Sequence, residues 1–122
     1  MEEYSNLTIK DWAVEDRPRE KLLKKGVQSL SDAEIIALLI GSGTRNESAV
    51  ELSKKVLKSA YNNLNELGKL DIAELTKMKG IGEAKAITIQ AALELGRRRK
   101  VSEVLIKRKI TKSKDVYELR TE

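Results

Sequence analysis

Met78-Lys79-Gly80-Ile81-Gly82-Glu83-Ala84-Lys85-Ala86 sets two glycines around one aliphatic residue, directly ahead of an alanine-rich helical run. This arrangement limits the fold more than any other stretch. Glycine permits positive φ and a close backbone approach, so the segment predicts a tight hairpin between two helices. The first free N–H groups of the second helix carry the positive end of its dipole. An anion, above all a phosphate, is the expected guest.

The chain has 122 residues, enough for one ordinary domain and its tails. It contains no cysteine and no histidine. Disulfides and thiolate metal sites are therefore excluded, and the commonest general base and commonest zinc ligand are missing. The composition argues against an enzyme and against any cofactor bound to this chain. No early apolar run is long enough for export or membrane spanning, so the expected location is cytoplasmic, with no membrane partner.

The charge is unevenly placed. Residues 97–122 hold ten Lys/Arg against four Asp/Glu, a net +6, whereas residues 1–96 hold fourteen against fifteen, a net −1. A basic end favours a polyanionic partner through phosphate neutralisation and counterion release. Arg97-Arg98-Arg99-Lys100 is the densest run; the competing reading is that it merely complements a helix C-terminus.

Along the chain, residues 1–17 read as an irregular lead-in. Trp12 is expected to be a packing anchor, because phenylalanine is absent and an exposed base-stacking platform usually needs several aromatics. Pro18–Lys25 predicts a short helix ended by Gly26, with Leu22 and Leu23 inward. Ser31-Asp32-Ala33-Glu34 is a capping box opening the apolar run to Ile40. After Gly41-Ser42-Gly43, a second box at Thr44–Glu47 predicts a helix to about Ser59, with Ala49, Leu52, Val56 and Ala60 on one face. A helical turn follows over Asn62–Leu67. A short helix capped by Asp71 comes next, with Ile72, Leu75 and Met78 as its apolar residues.

From Glu83 to about Lys100 the apolar residues cover a wide arc, and a central helix is expected: Ala86, Ile89 and Leu93 on one face, Ala84, Ile87, Ala91 and Leu95 on the next. Residues 101–122 read as a basic linker with an extended piece at 104–110 and a last short helix capped by Ser113. The fold class is all-α, with the domain over residues 18–100.

The two glycine pairs suggest an internal repeat, since both precede helices and lie 39 residues apart. In the second, Ile81 would plug the gap between helices while Gly80 and Gly82 let amides face a phosphate, helped by Lys79 and Lys85. Glu83 opposes that role. In the first candidate hairpin, Gly41, Ser42, Gly43, Thr44 and Arg45, a serine holds the plugging position.

Arg17–Leu23, Leu30–Glu34, Gly41–Thr44, Lys79–Ala86 and Ala91–Leu95 together resemble the N-terminal part of the RadC family, known as DNA repair proteins. The resemblance covers about residues 17–100. It implies tandem helix-hairpin-helix units and sequence-independent DNA binding through Lys79, Gly80, Ile81, Gly82, Lys85 and the basic residues Arg97, Arg98, Arg99 and Lys100. It also makes residues 110–116 resemble the start of the family's C-terminal domain, which is similar to JAB/MPN metalloproteases and carries a histidine-rich zinc site. None of that site lies in this chain, so no metal is expected here. The alternative is an interaction or scaffold domain that positions this C-terminal domain or a repair or replication protein. A glycosylase using Glu103 is the third reading, opposed by the lack of an aromatic pocket among Trp12, Tyr4, Tyr61 and Tyr117.

Overall fold

Pro18 starts the first helix because an N–H is not needed at that position, and the computed structural model, which describes residues 17–117 and side-chain surroundings for 17–110, begins there. Helix α1 (Pro18–Lys25) ends where Gly26, at φ 91°, donates its N–H to Leu22 O at 2.8 Å. A 3-10 turn over Val27–Ser29 then leads to α2 (Asp32–Ile40). Its start is the capping box read from the sequence: Glu34 N donates to Ser31 Oγ, and Ser31 N donates to Glu34 Oε1. Lys21 Nζ lies 3.2 Å from Glu34 Oε2 and ties α1 to α2.

Helix α3 (Ala49–Ser59) packs against α2, and the short α4 (Leu64–Leu67) packs against α3. Between these last two, Tyr61 and Asn62 both take left-handed backbone conformations, with φ 58° and 56°. Asn63 then caps α4. Asp71 and Glu74 make the capping box of α5 (Ile72–Thr76), and α6 runs from Glu83 to Tyr117. The described residues thus form six α-helices and one 3-10 turn, with no strand. The protein is all-α.

The chain divides into a first unit ending at Ala91 and a second beginning at Ala92. The core belongs to the first. Leu52, Val56, Leu67, Leu75, Ile81 and Ile89 are its most buried larger members, joined by Ala86 and by Ala33, Ile36, Ala37 and Ile40 of α2. A core made of small and aliphatic side chains suits short helices in close approach. The second unit consists of helix α6 from Ala92 onward, and its side chains from Leu95 to Ile110 are exposed.

Several sequence expectations are corrected. Helix α3 is capped by Ser48, not Thr44: Ser48 and Glu51 form the capping box, while Thr44 Oγ1 accepts from Asn46 N and Glu47 N in a turn before it. Leu23 is 76% exposed; among the described residues α1 packs mainly against α2 and the 3-10 turn. The wide apolar arc of α6 is covered only in part: Ala86 and Ile89 are buried, whereas Ala84, Ile87, Ala91 and Leu95 are exposed. Residues 104–110 are helical rather than extended, and Ser113 lies inside α6 rather than capping a new helix. The lead-in with Trp12 and Tyr4, and residues 118–122, lie outside the described residues.

Candidate functional site

The approach to the glycine hairpin is built by α5. Met78 N donates to Leu75 O at 3.2 Å, and Ile81 N donates to Met78 O at 3.0 Å, closing the turn. Gly80 sits within it at φ 96°. A Cβ there would lie 2.6 Å from Thr44 Cγ2 and 3.2 Å from Leu52 Cδ1, so both the backbone angle and the packing demand glycine. Ile81 is 3% exposed and fills the space behind the turn, as a plug should.

Gly82 differs from Gly80. A Cβ at Gly82 would meet nothing within 4 Å, so this position faces open space. The first bond into α6 from this side is Ala86 N to Gly82 O at 3.0 Å. The amides of Gly82, Glu83, Ala84 and Lys85 therefore donate to no acceptor among the described residues, as the first turn of a helix requires. These four N–H groups, at the positive end of a long helix, are the anion-competent feature of the hairpin.

Lys85 does not simply extend toward solvent. Its Nζ lies 2.8 Å from Ser42 O and 3.5 Å from Gly43 O and Gly80 O. The ammonium braces the two glycine segments against each other, and Thr44 meets the second segment at Gly80. Nothing in the sequence marks this pairing: a lysine five residues after Gly80 carries no sign of its acceptors. Lys79 and Glu83 are both exposed beside the turn.

The two glycine segments are not equivalent copies. Gly41 and Gly80 share positive φ, at 80° and 96°. Yet Gly43 is demanded by the backbone of Glu47 and Ser48, which a Cβ would strike, whereas Gly82 is free. Ser42 is exposed where Ile81 is buried, and five residues, Thr44 to Ser48, separate Gly43 from α3. Arg45 is exposed within that connection.

The basic run occupies the second unit and lies in the interior of α6, far from its end at Tyr117. It is therefore not a C-terminal complement to the helix dipole. Arg97 Nε and Nη2 donate to Glu94 Oε1 and Oε2 at 2.9 and 2.8 Å, and Arg98 Nε donates to Glu94 Oε2 at 2.8 Å. Hydrogen bonds from Arg97, then Arg98, pull the Glu94 carboxyl down to about 2, and the same pair raises Arg97 above its ordinary value. Arg99 and Lys100 are exposed with no carboxylate partner among the described residues. No cluster of His, Cys, Asp or Glu among the described residues could hold a metal, and none of their helices is long and apolar enough to cross a membrane.

Comparison with known proteins places this arrangement in a family. Residues 9–87 match the family model described as UPF0758 N-terminal. The chain is 58% identical over 115 residues to a UPF0758 protein of Flavobacterium johnsoniae, covering 94% of this chain and 50% of that protein. It is 44% identical over 112 residues to a UPF0758 protein of Porphyromonas gingivalis, covering 91% and 49%. A UPF0758 protein of Syntrophomonas wolfei is also 44% identical, over 119 residues, covering 97% and 50%. The chain spans about half the length of these relatives. No solved structure matches it. On the extent of the family match and the identity to these relatives, the chain belongs to the UPF0758 N-terminal family and is a RadC-like protein at that level.

Proposed function

We propose that this chain is a sequence-independent DNA-binding module that holds the sugar-phosphate backbone at the glycine hairpin. One observation carries the reading: four main-chain amides at the start of α6 are free of protein acceptors, beside an open Gly82 and above a buried Ile81. Backbone donors of this kind grip phosphate without reading base edges. Lys79 adds charge at the turn, and Lys85 fixes the turn's shape. Arg99 and Lys100 offer cations on a separate stretch of α6. The resemblance to the RadC family, which implies helix-hairpin-helix units, points the same way; no repair activity is assigned to these residues.

The test is fluorescence anisotropy with labelled duplex at several salt concentrations. If two to four phosphates are neutralised, log affinity falls against log salt with a slope of about −2 to −4. Gly82→Glu is the decisive variant, because its side chain enters open space without strain and puts a carboxylate where the phosphate would sit. Binding lost in that variant supports the hairpin; binding unchanged removes it.

A second reading, an interaction or scaffold domain, is favoured by the exposed apolar side chains of the second unit. Leu95, Val101, Leu105, Ile106 and Ile110 are each at least 45% exposed. A protein partner, including another part of the full-length protein, would cover them. A pulldown that recovers protein and no nucleic acid would favour this reading.

A further inference from the structure

Beside the hairpin lies an open groove of about 370 Å³ between α3 and the turn that follows α5, lined by Glu47, Leu52, Lys55, Lys58, Ser59, Met78 and Lys79. Three of these seven side chains are cationic. Glu47 is ion-paired with Lys55, so its charge is already matched. Lys58 and Lys79 have no carboxylate partner among the described residues, and both are exposed. Leu52 and Met78 are the apolar members of the lining. We infer that this groove is a second phosphate-backbone contact, continuous with the hairpin, in which Lys58 and Lys79 hold the strand that also lays a phosphate on the amides of Gly82–Lys85.

Continuity rests on Lys79, which lines the groove and is three residues from Gly82, a separation of at most about 11 Å. At 3.4 Å of axial rise per nucleotide in each strand, that distance corresponds to at most about three nucleotides. A strand gripped at the amides is therefore within reach of the groove. The charge selects the occupant: two cations free of carboxylate partners and a third already matched complement a phosphodiester chain and oppose a basic peptide. The sum over residues 1–96 is −1, which conceals this local excess.

This inference rests on the proposed DNA-binding role of the hairpin, and its test separates the two. The 122-residue chain is titrated with a labelled duplex at several salt concentrations as the parent, as Gly82→Glu, as Lys58→Ala, and as Lys58→Ala/Lys79→Ala. Lys58→Ala is expected to weaken binding at every sequence alike and to make the salt slope shallower by about one unit, and the double variant by up to about two. Circular dichroism confirms that each variant keeps its helical content. If the parent binds and Gly82→Glu does not, while both lysine variants keep the parent slope, the groove contact is overturned and the hairpin stands. If the parent does not bind at low salt, both fall.

Discussion

A methyl group at Gly80 would have to occupy space already held by Thr44 Cγ2 and both Leu52 methyls, on a residue with φ 96°. Left-handed backbone costs an L-residue roughly 1–2 kcal/mol before any overlap, so Gly80→Ala is expected to lose about 2 kcal/mol or more. Gly82→Ala should stay within about 0.5 kcal/mol of the parent, since its Cβ enters open space. Urea titration of both variants checks the contrast, and equal losses would refute it. Ser53 gives the opposite case. It is fully buried and its Oγ has no hydrogen-bond partner among the described residues. An unmet buried hydroxyl costs about 1–3 kcal/mol, and alanine is the better helix former. Ser53→Ala is therefore expected to raise the urea midpoint with an unchanged m-value; a fall would mean that the hydroxyl is paired in solution. At this scale the glycine motif was legible because positive φ has a residue signature. The orphan serine was not, since burial of one hydroxyl depends on contacts remote in sequence.

Helix α6 shows what periodicity conveys and what it omits. Alanine, leucine, glutamate, lysine and arginine are all strong helix formers, and no Gly or Pro interrupts the run after Gly96, so the helix continues through residues that alternate like a strand at 104–110. The existence of the helix was legible to about Lys100; its length was not, because β-branched residues at Val104, Ile106 and Ile110 imitate a strand pattern. Nor could composition say which face is covered: alanine favours a helix whether or not it is buried, and only Ala86 and Ile89 reach the core. Val104→Pro tests the continuous helix. Proline in a helix interior costs about 3 kcal/mol, so ellipticity at 222 nm should fall, whereas an extended segment would leave it unchanged. The Glu94 pairs supply a second test. Its folded pKa of about 2 lies below the ordinary value of 4.5, so its contribution to the ordered helix is present above 4.5 and is lost as pH falls through about 2. Carboxyl carbon shifts followed by NMR should place the Glu94 midpoint near 2, moving up toward 4.5 in Arg97→Gln/Arg98→Gln.

Across the whole molecule, the sequence located the charges and the structure decides which are available. Of the basic residues first assigned to phosphate, Arg97 and Arg98 share Glu94, and Lys85 is held among three carbonyl oxygens, leaving Lys79, Arg99 and Lys100 without carboxylate partners. Pairing of this sort is invisible in a net charge, because an ammonium spent on backbone carbonyls still counts as +1. Lys85→Met discriminates between a brace and a phosphate ligand. The methionine keeps the aliphatic stem and removes the charge that joins Ser42 and Gly80. If Lys85 acts by shaping the hairpin, the variant binds DNA more weakly at every salt concentration while the slope of log affinity against log salt keeps the parent value, because no released counterion belonged to it. A direct phosphate contact would instead make the slope shallower by about one unit. Thermal unfolding should also show Lys85→Met less stable than the parent, since the carbonyls of Ser42 and Gly80 lose their shared donor. A variant with parent stability and a shallower slope would assign Lys85 to the ligand and dissolve the brace.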